Sequence, residues 1–121
     1  MDNMFPSMVR VRQNIPAGKV KDVRQTLSDA LERVRFSELD LSGLTIGITA
    51  GSRGIYAIPI ILRALADAVK EAGGHPVIVP SMGTHGGGSN KGQIEILSSL
   101  GITESAVAAA IRGSADTVLL G

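Results

Sequence analysis

Residues 45–59 read TIGITAGSRGIYAIP. The run passes from an apolar strand pattern, through a turn containing Gly51 and Gly54, into a segment whose Pro59 suits the first turn of a helix, where a missing N–H costs nothing. A strand that empties through glycine into a helix is the corner at which α/β proteins hold anionic groups, because backbone N–H groups converge there.

On the C-terminal side, IPIILRALADAVKEAGG has helical spacing, with an inner stripe of Ile58, Ile61, Leu62, Leu65 and Val69 and a stop at Gly73 or Gly74. HPVIVPS then predicts a second buried strand, as LTIGITA predicts a first one buried on both faces. A β-α-β order of this length implies parallel strands joined by a right-handed crossover. Upstream, Val20, Val23, Leu27, Ala30, Leu31 and Val34 recur at the spacing of an amphipathic helix. Before it come a turn at Pro16 to Gly18 and the alternating MVRVRQNI, Met8 to Ile15, which predicts a short edge strand. Downstream, SNKGQIEILSSLG predicts a helix capped by Ser89 or Asn90 and closed by Gly101, TESAVAAAI another starting at Thr103, and DTVLLG a last strand. The expected fold class is α/β, a Rossmann-like three-layer sandwich fragment with a mainly parallel sheet, forming a single domain over 1–121. Such a sheet would ordinarily pass into another crossover helix after Gly121, so the chain is expected to be truncated at its C-terminus.

Composition narrows the partners. Among 121 residues, 12 basic and 11 acidic side chains nearly cancel and aromatics are 2%. That is neither a phosphate-tracking surface nor a base-stacking platform, so nucleic acid is not an expected partner. The sequence has no cysteine, which removes disulfides, thiolate nucleophiles and cysteine metal sites. No apolar run has the length of a membrane span or a signal-peptide core, so no membrane partner and a cytoplasmic location are expected.

The stretch ITAGSRGI is similar to the ITGASRGIG turn that opens short-chain dehydrogenases, but two of the three glycines needed for a dinucleotide are missing. Ala50 and Tyr56 stand in their places, and a tyrosine ring would fill the cofactor's space. The acid expected roughly 20 residues on, for the ribose, would fall near HPVIVPS, which has none. As an ordinary turn, the same stretch needs only Gly51 and Gly54 with a solvated Arg53. Against that stands a second glycine-rich loop, SMGTHGGGSNKG, after the neighbouring strand. Ligand crevices of open parallel sheets lie outside the carboxyl ends of the strands, which puts both loops on the functional edge.

His85 stands among Gly83, Gly86, Gly87 and Gly88. Glycine lets backbone N–H groups line an anion-binding concavity, and histidine exchanges a proton near neutral pH. A lone loop histidine is more often solvated or locally hydrogen-bonded than catalytic, and the absence of any packing purpose for its glycines balances that, so chemistry alone leaves His85 open between the two. His75, between Gly74 and Pro76, reads as structural. Lys91 lacks the GKS or GKT setting of a P-loop, Ser52 lacks a G-x-S-x-G elbow, and no set of carboxylates and histidines has metal-ligand spacing. Asp22, Asp29, Glu32, Asp67 and Glu71 read as charges on outer helix faces, and the small residues of GITESAVAAAI as close packing.

Taken together, AGSRGI and HPVIVPSMGTHGGGSNKGQIEILSSLGITE resemble the N-terminal segment of the nickel-pincer-dependent lactate racemase family, in a subgroup of lactate racemase-like proteins. The portion MGTHGG...GQ...L..LGIT carries most of the likeness, and the resemblance covers nearly the whole chain. It implies the N-terminal part of a catalytic domain that racemises or epimerises 2-hydroxy acids, with a nickel-pincer nucleotide accepting hydride. His85 is then the proton-transfer base, and Ser52, Arg53, Gly54, Gly83, Thr84, Gly86 and Gly87 bind substrate or cofactor, Arg53 through a carboxylate. The implied partners are a small anionic molecule and the remainder of the same polypeptide, where the resemblance places the cofactor's attachment and nickel ligands. The chain departs from the family in having AGSRG in place of a D-x-T-R-P turn and GGG after His85, which leaves the particular 2-hydroxy acid open. The alternative is a non-catalytic binding or assembly domain for a small anion or nucleotide.

Overall fold

The computed structural model describes residues 8–15, 18–114 and 119. Three strands, β1 (Thr45–Ala50), β2 (His75–Pro80) and β3 (Ala110–Ile111), form an all-parallel sheet in the order β1-β2-β3. Four helices accompany them: α1 (Val23–Arg33), α2 (Ile58–Glu71), α3 (Asn90–Ser99) and α4 (Glu104–Val107). Short 3-10 turns cover Phe36–Glu38 and His85–Gly88. The fold is thus mixed α/β with an open parallel sheet, as the β-α-β pattern predicts.

Register follows from the pleat. Ile46 pairs with Pro76, Ile48 with Ile78 and Ala50 with Pro80, so these residues share one face of the sheet. That face holds the core: Ala50, Ile78 and Ile111 pack with Ile58, Leu62 and Ala66 of α2, Leu97 of α3 and Val107 of α4. The opposite positions of β1, Thr45, Gly47 and Thr49, are exposed. β1 is therefore buried along one face, not both, because among the described residues its apolar cover, from Ile58, Leu62 and Ala66 of α2, lies on the Ile48 and Ala50 side. Ala66 joins Ile58, Leu62 and Val69 as the fully buried stripe of α2, while Ile61 and Leu65 flank it at intermediate depth.

The helix ends obey local rules. Asp22 caps α1 by accepting from the Gln25 N–H at 2.9 Å, and Ser89 and Thr103 cap α3 and α4 in the same way. After α2 the Gly74 N–H donates to Val69 O and the Gly73 N–H to Lys70 O; after α3 Ile102 and Gly101 repeat the pattern onto Leu97 and Ser98. Both are Schellman endings, with Gly73 (φ 86°) and Gly101 (φ 79°) in the left-handed position they require. Gly73 has a second reason to be glycine, since a Cβ there would lie 2.8 Å from Ser42 Oγ.

Three expectations are corrected. Met8 to Ile15 forms no strand: Val9 and Val11 are 80% and 81% exposed, and alternation without a pairing edge does not make a ladder. The segment after Thr103 is helical only to Val107; Ala108 turns left-handed (φ 50°) and Ala110–Ile111 enter the sheet beside Val77 and Ile78. Asp67 does not sit on an outer face. It faces α1, accepting from Arg63 Nε at 2.9 Å and pairing with Arg24 at 3.4 Å. The turn at Pro16 and Ala17 and most of the predicted strand DTVLLG lie outside the described residues. No helix among the described residues is long and apolar enough to cross a membrane.

Candidate functional site

Parallel pairing sends every strand out through the same edge. The loop after β1, Gly51 to Ala57, and the loop after β2, Ser81 to Ser89, therefore leave the sheet side by side, tied at their base by the Ser81 N–H donating to Ala50 O at 2.8 Å. Where they meet, Ser52 Oγ and His85 Nδ1 share a hydrogen bond of 2.6 Å. Two residues 33 apart in the chain are thereby brought into one polar pair at the carboxyl edge, where open α/β sheets bind their ligands. Ser52 is half-buried, and His85 is exposed.

The histidine loop is built on its glycines and on the first turn of α3. Gly83, Gly86, Gly87 and Gly88 all have positive φ, between 60° and 68°. The Gly88 N–H returns to Thr84 O at 3.0 Å, which curls the loop around His85. The Ser89 hydroxyl accepts from the Gly92 N–H at 3.2 Å and donates to Gly86 O at 3.0 Å, so the cap of α3 also holds the loop. Gln93 Nε2 donates to Gly83 O at 2.8 Å from the other side. Gly86 and Gly92 pass so closely that a Cβ on Gly86 would lie 2.6 Å from Gln93 N, and one on Gly92 would lie 2.8 Å from Gly86 C. One of these glycines serves packing, contrary to the expectation from sequence: Gly86 is needed for contact with α3 as well as for its backbone angles, while the Cβ positions of Gly83, Gly87 and Gly88 meet nothing within 4 Å.

The sequence candidates fall into two groups. Ser52, Thr84 and His85 come together with Gly83, Gly86 and Gly87 around the paired loops. Arg53 and Gly54 extend outward from the same turn; both are exposed, and Arg53 makes no hydrogen bond or ion pair with a described residue. A cleft of about 330 Å³ adjoins the histidine loop, lined by Gly83 and Gly88, by Asn90 and Gln93 of α3, and by Gly113 beyond β3. Gly92 and Gln93 enter the sequence reading only as the GQ of the resemblance, with no role in the site. Their signal was a glycine two residues inside a helix, where it costs about 1 kcal/mol relative to alanine and so calls for a packing reason.

A second hollow, of about 310 Å³, lies between α1 and α2, where Leu27, Leu31 and Phe36 face the Arg24–Asp67 pair. It is far along the fold from the paired loops and gathers no histidine or glycine-lined backbone, so the loop edge is the candidate site. Among the described residues no group of three or more histidine and acidic side chains could hold a metal ion. Elsewhere, the Ile111 N–H, with Arg112 beside it, holds the Glu104 carboxyl below its ordinary range.

Compared with family models, curated proteins and solved structures, the chain gives no significant match in any of the three.

Proposed function

We propose that the paired loops are the proton-transfer part of a site for 2-hydroxy acids, in a lactate racemase-like racemase or epimerase. The observation that carries this reading is the Ser52–His85 hydrogen bond, which ties an imidazole at the sheet's carboxyl edge to the residue preceding Arg53, an arginine that makes no ion pair with a described residue. A racemase of this kind must remove and return the substrate hydroxyl proton and hold its carboxylate while it does so. His85 supplies an imidazole able to take up and return a proton, and Arg53 a planar cation able to grip a carboxylate with two parallel hydrogen bonds. The left-handed glycines of the histidine loop keep side chains away from the approach, so a small substrate can reach the ring.

In proteins of the class resembled, a nickel-pincer nucleotide takes hydride from the substrate carbon. The described residues do not fit as its metal ligands, since they contain no suitable cluster, and no step is assigned to it. What this chain's residues do is bind the acid, orient it, and hold or release one proton at His85.

The test is chiral analysis of 2-hydroxy acids, lactate first, incubated with the protein purified from its source cells. Interconversion of the two forms is expected, with a loss of about 100-fold or more in His85→Ala. Unchanged interconversion in that variant, or none by the unaltered protein over a panel of 2-hydroxy acids, overturns the reading. The run Gly86 to Gly88 in left-handed backbone favours a second reading, a non-catalytic cradle for a small anion or nucleotide. That reading is supported if phosphate or a nicotinate nucleotide, and not lactate, shifts the amide resonances of Gly83 to Gly88.

A further inference from the structure

We infer that the outer edge of β1 is a self-association seam, on which a second copy of this chain pairs its own β1 antiparallel about a twofold axis at Gly47.

The sheet has two edges, β1 and β3, and they are finished differently. At β3 the Arg112 N–H donates to Ile78 O, so the N–H of Ile111, which is in register with Ile78, points away from β2. That outward group is taken. Glu104 Oε1 accepts it at 2.9 Å and also holds Arg112 Nη1 at 3.0 Å, which puts an ion pair where a further strand would dock. β1 has no such stopper. Leu44 O and Ala50 O accept from the N–H groups of His75 and Ser81, so the even-numbered residues of β1 bond to β2 while the N–H and C=O of Thr45, Gly47 and Thr49 point outward. None of these outward groups has a partner among the described residues, and all three residues are exposed. Nor does the strand carry the lysine, proline or charge that ordinarily protects an edge.

The strand's own sequence indicates what pairs with it. Residues 45–49 read TIGIT, the same in both directions about Gly47. An antiparallel copy centred there sets Thr45 opposite Thr49, Ile46 opposite Ile48 and Gly47 opposite Gly47, the self-complementary arrangement a twofold interface demands. The threonine pairs and the glycine pair then each exchange two N–H···O=C bonds, so every outward group of the three residues is satisfied at once. The faces match as well. Ile46 and Ile48 meet on the side where Ile48 already packs against the core, and the threonines meet on the exposed side. At the axis, glycine brings no side chain between the two backbones. The sheet of one copy continues into that of the other through adjacent β1 strands. Because those strands run in opposite directions, the two histidine loops lie at opposite ends of the joined sheet.

The experiment is sedimentation equilibrium of the full chain from micromolar to millimolar concentration, with amide hydrogen exchange followed in parallel. A seam of one short strand is small, so a weak, reversible dimer is expected. The amides of Thr45, Gly47 and Thr49 should gain protection as it forms, with those of Ile46, Ile48 and Ala50, already bonded to β2, as the reference. Gly47→Lys and Gly47→Glu each set two like charges face to face on the axis and should weaken the dimer by about tenfold or more. An equal mixture of the two variants should restore it. The Cβ position of Gly47 makes only an ordinary contact, 3.5 Å from Val79 Cγ2, so either side chain fits the single chain. Gly47→Pro, which deletes an outward N–H and no bond to β2, should also abolish pairing and tests the seam without a charge. A monomer throughout the range, a dimer indifferent to all three variants, or a mixture no tighter than its components overturns the inference. So does protection of the three outward amides that is independent of concentration and lost on deleting residues 1–17, which would give the edge to the chain's own Met8 to Ile15.

Discussion

The two loops that meet at the carboxyl edge are built to opposite specifications. The loop after β2 is braced: Gly86 lies against Gly92, Ser89 bonds both, and Gln93 ties down Gly83. The loop after β1 is slack: nothing lies within 4 Å of the Cβ position of Gly54, and that of Gly51 reaches only Ser81 O at 3.9 Å. Both sequences are glycine-rich, but in the loop after β2 Gly86 is demanded by neighbouring backbone and Gly83, Gly87 and Gly88 by their positive φ, whereas Gly51 and Gly54 are under neither constraint. The difference puts His85 on the braced loop and Arg53 on the slack one. Under the proposed reading, the braced loop would carry the proton-transfer group, for which distance matters most, and the slack loop the carboxylate-binding one, whose long side chain can follow its ligand.

The largest expected effect strikes the brace. Gly92→Ala puts a methyl group into the Gly86 carbonyl, which cannot retreat without releasing the histidine loop from α3. Urea unfolding should show a loss of roughly 1–3 kcal/mol, the cost of overpacking a closed site. The amide resonances of Gly83 to Gly88 should move with it. A change below about 0.5 kcal/mol, the range of ordinary surface substitutions, would mean that the two backbones are not held against each other and would erase the contrast between the loops.

Sequence made one of these loops more legible than the other. Several features set by residues a turn apart were legible to within a residue: Ser89, from the pair Ser89 or Asn90, and Thr103 as caps, Gly73, from Gly73 or Gly74, and Gly101 as helix stops, Pro59 in a first helical turn. The parallel sheet followed from the β-α-β spacing. Where a partner across the fold decides the outcome, the local pattern misled. Met8 to Ile15 alternates like a strand but pairs with none, and the apolar run of β1 concealed a strand covered on one face only. Ser52 and His85 could each be named as candidates, but their bond depends on a register that only the folded sheet supplies. The packing reason for Gly92 shows only once Gly86 is placed against it.

An intermediate effect, of opposite sign, is expected at the far end of the slack loop. Ala57 opens α2 in left-handed backbone (φ 56°, ψ 30°) and offers no side-chain cap. A Cβ in that conformation costs about 1–2 kcal/mol, part of which glycine returns through the greater freedom of its unfolded chain. Ala57→Gly should therefore raise stability by roughly 0.5–1 kcal/mol in the same urea titration. A loss in that variant would show that Ala57 is held by contacts that need its methyl group, and the loop after β1 would no longer count as slack.

The smallest effect belongs to Gly54. Its φ is not left-handed and its Cβ position is open, so alanine meets neither clash nor backbone strain. Restricting the unfolded chain should then leave Gly54→Ala about 0.5 kcal/mol more stable, against the loss expected at Gly92. The pair forms a matched test, since both exchange the same hydrogen for the same methyl group within a few residues of the Ser52–His85 bond. If Gly54→Ala instead weakens 2-hydroxy acid binding while leaving stability and the His85 ring resonances untouched, the slack of this loop serves Arg53: the arginine must swing, and alanine narrows its swing. If binding is indifferent as well, Gly54 is a turn residue only, and the carboxylate clamp assigned to Arg53 must stand on the arginine's own substitution.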